Sequence, residues 1–509
     1  MHRLLPPREA IARARRRRDE LAAWRIRATA PIGGWTFDGA PIAVGDPWPA
    51  RDGVHMLRSG RFEAPAGWPL AETRLRLDAG GESLLAIVYD DGRRLPLGLD
   101  LNHTEFPLDA RSGTLEIESV ARGPFWTPVA NPRLARAELA WIETALDDLT
   151  RKLSLAIDLA AEIEGHEAFW PLLDLAEDAM ARLAWPTATA AVVARQSRYA
   201  AGYERNADGN PFAPAPLDEL SRASIAEVRA WLQGGLRALK AKHPPQGAVA
   251  LMGHAHIDTA WLWPIEETRR KVRRTFATAA DLLRRHPEFR YAQSFAEYYR
   301  MLEEDDPALL AAVKAEVAAA RWEPVGGLWV EPDINMPAGE SLVRQALYGQ
   351  RYFERTFGAR HRAAWLPDTF GFSPALPQIL AGAGLTSLYT VKIGWSETNR
   401  FPHSRFWWQG IDGARVLVHH MIHPEDNYNG QVTPRALLRL WRNNADKEVA
   451  SEVIYPIGFG DGGGGPTAEM IAAQAALASA SAPTRACSAF RCSRLVRPWV
   501  VSTPRWYSR

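Results

Sequence analysis

Between residues 31 and 131, apolar and polar positions alternate in short runs: "GWTFDGAPIAV", "TRLRLDAGG", "SLLAIVYDDGRRLPLGLD" and "GTLEIESVA". Gly or Asp-Gly turns separate them, and a period of two with such punctuation predicts the half-buried strands of a β-sandwich. Before this region, residues 1–30 ("MHRLLPPREAIARARRRRDELAAWRI" and onward) form a basic amphipathic pattern that predicts a helix. From residue 132 to 243 the period becomes helical, as in "RLARAELAWIETALDDLTRKLSLAIDLAAEI" and "LDELSRASIAEVRAWLQGGLRALKAKH". "HPPQG", His243 to Gly247, reads as a linker.

Beyond the linker, from 248 to 470, strand and helix patterns alternate. "AVALMG", "FRYAQSF", "EPVGGLWV", "HRAAWLP", "SLYTVKI", "RVLVHHM" and "VIYPIGFG" are the strands, with helical runs between most of them. The fold class is therefore α/β, with a parallel sheet that is open or closed into a barrel. Chemistry in such folds collects at the carboxyl ends of the strands. After Gln474 neither period persists. Residues 475–509 contain Arg but no Asp or Glu, and are expected to be an aberrant, disordered tail from a frameshift or gene fragment; a natural disordered tail is the other reading.

At 509 residues, two or three domains are expected. A net charge of +2 gives no basic face for nucleic acid, and no run approaches the roughly 20 apolar residues of a membrane span. Both cysteines, Cys487 and Cys492, lie in the tail, which fits a reducing, cytoplasmic setting. The 20 tryptophans offer flat apolar faces that suit sugars as well as cores.

Chemistry concentrates at strand ends. "GHAHIDTAWLWP" follows the first strand beyond the linker, and extended spacing would put His254, His256 and Asp258 on one side, a donor set suited to Zn²⁺ or another divalent cation. Hydrogen-bonded histidines without an ion are the alternative. "AAWLPDTFGFSPALPQIL" sets Asp368 after another strand, with Ser373 expected to cap the next helix, leaving Asp368 to face the cleft. "YPIGFGDGGGGPTAEM" presents Asp461 on a glycine loop that lacks the Gly-Lys-Ser/Thr ending of a nucleotide site. Two aromatic-polar stretches suit a pyranose: one carries Trp329, Glu331, Asp333 and Asn335, the other Trp395, Asn399, His403, Trp407 and Trp408.

Together these motifs, with "FPHSRFWWQGIDG", resemble the α-mannosidases of glycoside hydrolase family 38, in the subgroup of bacterial and cytosolic or vacuolar enzymes. The resemblance implies a distorted β/α barrel behind the β-sandwich and helical N-terminal region, and a retaining, zinc-assisted glycosidase acting on mannose-containing oligosaccharides. It implies one metal ion held by His256, Asp258 and Asp368, with His254 behind them. It further implies that Asp368 is the nucleophile and that Trp261 stacks on mannose, with Trp329, Glu331, Asp333, Trp395, His403 and Tyr428 as sugar contacts. Asp461 is the candidate acid/base, ahead of Asp412, Glu425 and Asp426. Family members continue into a helical bundle that supplies a histidine as fourth metal ligand; the sequence holds no histidine after His423, so this shortened chain is expected to lose turnover. The rival readings are a metal-dependent amidohydrolase, which would need further histidines at later strand ends, and a non-catalytic mannoside-binding remnant. Oligomeric state is left open.

Overall fold

The computed structural model describes residues 4–184, 217–244, 247–423, 425, 427–448 and 452–479. Residues 185–216 of the helical segment, Asp426, and the part of the tail from 480 onward, with both cysteines, lie outside them.

The N-terminal region is two antiparallel sheets facing one core. One sheet orders the strands Ile26–Pro31, Arg136–Ile142, Thr73–Asp78 and Glu105–Pro107; the other has seven strands, with Ser112–Ser119 and Ser83–Tyr89 at its centre. Leu75, Leu77 and Leu139 from the first meet Leu57, Leu85, Ile87, Leu115 and Ile117 from the second, all essentially water-free.

Two helical expectations are corrected here. The basic helix is Pro7–Ala22 and not the whole of residues 1–30, because Ile26–Pro31 is already a strand. Likewise Arg136–Ile142, read as the start of a long helix, is a strand paired on both edges, and the helix begins only at Thr144. "RAELAWI" is rich in helix formers, but two waiting strands satisfy its backbone and alternate positions enter the core, so tertiary pairing overrides propensity. The helices Thr144–Glu162, Phe169–Ala181 and Glu219–Lys242 then pack with the N-terminal helix around Leu149, Leu153, Leu173 and Leu232.

In the catalytic region, one four-stranded parallel sheet runs Trp322–Pro324, Tyr291–Gln293, Ala248–Gly253, Glu452–Ile457. A second runs Ala363–Leu366, Ser387–Thr390, Arg415–His420, Arg405–Gln409, with only the last antiparallel. That last strand makes a hairpin of the stretch bearing Trp407 and Trp408. The Gly326 amide donates to the Ala363 carbonyl, and Gly430 bridges Ile457, stitching loops to the sheet edges. Helices such as Ile265–Arg285 and Gly339–Phe357 cover the sheets, and Phe276, Trp322, Phe353, Trp365 and Tyr389 fill the space between.

Two boundaries shift. The helix after Asp368 begins at Leu376 and not at Ser373, whose hydroxyl instead accepts from the Ala375 amide in a turn. The final helix runs Ala468–Ser479, past the expected start of the tail, because Met470, Ile471 and Ala473 dock into the core and carry the helix with them. Among the described residues, no helix is long and apolar enough to cross a membrane.

The two regions are clamped together by buried charge. Glu82 of the β-region binds Lys271 at 2.6 Å and Arg274 at 3.2 Å, and Arg274 also meets Glu267 at 2.6 Å. His103 lies 3.0 Å from Asp100 through Nδ1 and 3.0 Å from the Pro466 carbonyl through Nε2.

Candidate active site

The site forms where the strands Ala248–Gly253, Ala363–Leu366, Ser387–Thr390 and Glu452–Ile457 end. Each strand is almost wholly buried toward its carboxyl end, the polar Ser387 and Thr390 included, so polar groups open to a ligand emerge past that end. The ladder stops at Gly253, so residues 254–258 leave the sheet and strict alternation does not apply to them. His254 accordingly turns inward. It is fully buried, its Nδ1 lies 2.9 Å from the Ala292 carbonyl, and the Trp365 indole donates to its Nε2 at 3.3 Å. Burial pushes its pKa down to about 3, so it is a neutral support and not a member of a three-ligand strand set.

His256 and Asp258 reach the opening and meet Asp368. Their ligand atoms lie within 4.8 Å of one another. Nε2 of His256 is 3.3 Å from Oδ1 of Asp258 and 3.9 Å from Oδ2 of Asp368. Ligands on a tetrahedral ion with bonds of about 2.0–2.2 Å stand roughly 3.3–3.6 Å apart, so this N, O, O set fits a divalent cation with little adjustment. Burial works against charge on His256, but Asp258, Glu331 and Asp368 outweigh it and push its pKa up to about 9.

Glu331 stands behind this group. Its Oε1 accepts from the Asp368 amide at 2.7 Å and from the Thr369 hydroxyl at 3.0 Å. Its Oε2 is buried without a hydrogen bond, 3.6 Å from Nδ1 of His256. Burial raises its pKa to about 7. It therefore orients the His256 imidazole and the Asp368 loop from the rear; sequence reasoning expected a sugar contact here.

Asp368 is held on two sides. Its Oδ1 takes Lys392 at 2.8 Å and the Tyr428 hydroxyl at 2.6 Å, leaving Oδ2 toward His256. The same Tyr428 oxygen lies 2.7 Å from Oδ1 of Asp461, which keeps the two carboxylates within about 5 Å, the separation of a retaining glycosidase pair. Asn429 fixes Asp461 by donating to Oδ2 at 2.7 Å and accepting from its amide at 2.9 Å.

Other expected contacts divide. Trp261 is 55% exposed and Trp395 47% exposed, the latter 3.7 Å above Lys392 and edge-on to Phe370. Trp329 instead packs against Tyr348 and Tyr352. Asp333 is engaged in a turn, accepting from the amides of Asn335 and Met336, and His403 pairs with Asp446 at 3.1 Å. Lys392, Phe370 and Asn429 were missed. A lone lysine closing the apolar strand "SLYTVKI" was the available signal for the first.

An imidazole and two carboxylates arranged for one cation, with a further carboxylate across a shared hydroxyl, define a hydrolase-type centre. Residues 246–492 match the Glycosyl hydrolases family 38 N-terminal domain, a domain of glycoside hydrolases. The chain is 35% identical over 425 residues to Alpha-mannosidase 2C1 of Homo sapiens, covering 80% of this chain and 37% of the relative. It is 43% identical over 226 residues to Alpha-mannosidase G of Dictyostelium discoideum, covering 44% and 21%. With Alpha-mannosidase of Saccharomyces cerevisiae the identity is 42% over 221 residues, covering 43% and 20%. The chain thus spans little more than a third of the human relative's length.

Proposed function

We propose that this chain carries the catalytic centre of a retaining, zinc-dependent α-mannosidase in a distorted β/α barrel, working in the cytoplasm on terminal α-linked mannose. The observation that carries the reading is the Asp368–Tyr428–Asp461 bridge beside His256 and Asp258. His256, Asp258 and Oδ2 of Asp368 would hold the ion. When bound, it supplies positive charge that binds sugar hydroxyls at the ring being cleaved.

The residues divide the remaining work. Asp368 is the nucleophile: Lys392 stabilises its charge, and Tyr428 fixes the direction of Oδ1. Attack on the anomeric carbon forms a glycosyl-enzyme ester as the bond to the leaving oxygen breaks. Asp461 protonates that oxygen, then takes a proton from the water that hydrolyses the ester. A hydroxyl has one proton to give. Tyr428 therefore donates to Asp368 or to Asp461, one at a time, and links the two carboxylates. Trp261 and Trp395 offer faces for the sugar.

The test is hydrolysis of an aryl α-mannoside by the full chain, with and without a chelator, alongside Asp368→Asn and a direct titration of Zn²⁺ and mannose. Chelator-sensitive hydrolysis that Asp368→Asn abolishes would support turnover by these residues alone, and binding of Zn²⁺ and mannose without turnover would support the expected loss of turnover. A folded chain that binds neither Zn²⁺ nor mannose would overturn the reading.

A further inference from the structure

One turn of the N-terminal β-region reaches the catalytic opening. After the strand Ser112–Ser119 the chain makes the turn Pro124–Trp126, in which Phe125 (φ 59°) and Trp126 (φ 61°) are both left-handed. Neither is glycine, so each crowds its Cβ against backbone, and such conformations persist where surrounding contacts enforce them. Here the Gly123 amide donates to the Thr127 carbonyl at 2.8 Å, and the Thr127 hydroxyl donates to the Pro124 carbonyl at 2.8 Å. The Arg122 guanidinium lies 5.1 Å from the Trp126 ring.

The result is an aromatic step. Phe125 meets Trp261 edge to face, with centroids 5.7 Å apart and planes at 87°. Trp261 rests on Trp263 at 5.7 Å and 89°, and Trp263 is buried, with its indole donating to Thr268 at 3.1 Å. Both outer rings keep free surface: 39% of Phe125 and 55% of Trp261 are exposed. Trp261 is three residues beyond Asp258, so at most roughly 10 Å of backbone separates it from the metal ligands. Phe125 is contributed by a different region of the chain.

We propose that Phe125, seated edge-on against Trp261, forms the binding step for the second sugar, on the leaving-group side of the bond. The N-terminal β-region thereby favours α-linked oligomannosides over mannosides with a small aglycone. This rests on the α-mannosidase reading. An exo-acting site binds one pyranose at the metal group, and the next ring must leave outward past Trp261, where the apolar C–H face of a sugar meets Phe125.

The experiment titrates the zinc-loaded full chain with mannose and with α-linked mannobiose, for wild type, Phe125→Ala, Phe125→Tyr and Phe125→Gly. The last relieves the left-handed backbone, so a folding defect does not mask the result. Phe125→Ala and Phe125→Gly should weaken mannobiose binding by about five- to tenfold, leave mannose affinity unchanged, and raise KM for mannobiose without altering kcat. Phe125→Tyr should restore wild-type binding. Equal weakening for both sugars would mean that Phe125 merely props Trp261, and no change would mean that it touches nothing; either overturns the proposal. Wild type that binds neither sugar would instead sink the α-mannosidase reading, and this inference with it.

Discussion

Lys392 sets its ammonium 2.8 Å from Oδ1 of Asp368, with only 6% of the lysine side chain exposed. The lysine is nearly desolvated while 24% of the Asp368 side chain stays exposed, and the rings of Trp395, Phe370 and Tyr428 surround the ammonium at 3.7, 4.9 and 5.3 Å. Removing one partner of such a pair leaves a buried charge uncompensated, at a cost of about 3–5 kcal/mol when burial is complete. Lys392→Met should therefore lower stability, and, if Asp368 is the nucleophile as proposed, lower kcat/KM for an aryl α-mannoside by about 100-fold as Asp368 loses its fixed electrostatic support. Thermal melts and steady-state rates together check this. A variant with wild-type kcat/KM would remove Lys392 from the nucleophile's machinery.

Glu331 acts on the metal group through His256. Its Oε1 is committed to the Asp368 amide and the Thr369 hydroxyl, which aims the otherwise unpartnered Oε2 at the imidazole, 3.6 Å away. Carboxylates that orient a ligating histidine from behind are typically worth 10–100-fold in metal affinity. Glu331→Gln should weaken Zn²⁺ binding by about that factor, measured by competition with a chromogenic chelator, with little change in mannose affinity once the site is saturated with metal. Unchanged Zn²⁺ affinity would reduce Glu331 to a loop brace.

The strands and their carboxylates were legible because each strand is a short, mostly apolar run with a polar residue within a few positions of its end. His256, Asp258, Asp368, Asp461 and Tyr428 all meet where that pattern points. What failed had local causes. His254 shares the spacing of His256, but the ladder ends one residue before it, and only the position of Ala292 and Trp365 shows that it turns inward. Arg136–Ile142 carries helix-forming residues, and its strand identity depends on partners more than 50 residues away along the chain. Lys392 stands out in the sequence only as a lone lysine after a mostly apolar run, and its pairing with Asp368 follows from the fold. Phe125 lies in a separate region from Trp261, and no periodicity connects them.

The glycine loop around Asp461 separates two kinds of damage. A Cβ on Gly458, where φ is 140°, would stand 2.6 Å from the His254 carbonyl, an immovable backbone atom. On Gly460 it would meet the Asn429 side-chain oxygen at 2.3 Å, and Asn429 is what holds Asp461. Gly458→Ala should thus lose stability, by about 1–3 kcal/mol or more. Gly460→Ala should keep most of its stability yet lose turnover, because the acid is displaced. Denaturant melts alongside kcat distinguish them, and equal stability losses in the two would contradict the assignment.

The clamp between Asp100, His103 and Pro466 makes stability depend on pH. Nδ1 of His103 faces a carboxylate and Nε2 faces a carbonyl, so both nitrogens must donate, which only the imidazolium can do. Burial alone would lower its pKa, but Asp100 and the Pro466 carbonyl outweigh burial and hold it above the usual histidine value. Asp100 is opposed by burial and favoured by His103 and two backbone amides, and ends at about 2. Arg274 adds a further cation facing Asp100. A raised histidine contributes fully below its unfolded value of about 6.5, and its contribution is lost as pH climbs through the folded value. The depressed aspartate contributes above its unfolded value of about 3.9, and its share is lost as pH falls toward 2. The clamp should therefore be strongest between about pH 4 and 6.5, and Tm should decline on its alkaline side. His103→Gln, unable to charge, should flatten that alkaline decline while lowering Tm near pH 6. Melts of both proteins across this range decide it: an alkaline slope identical in wild type and variant would place the titrating group elsewhere.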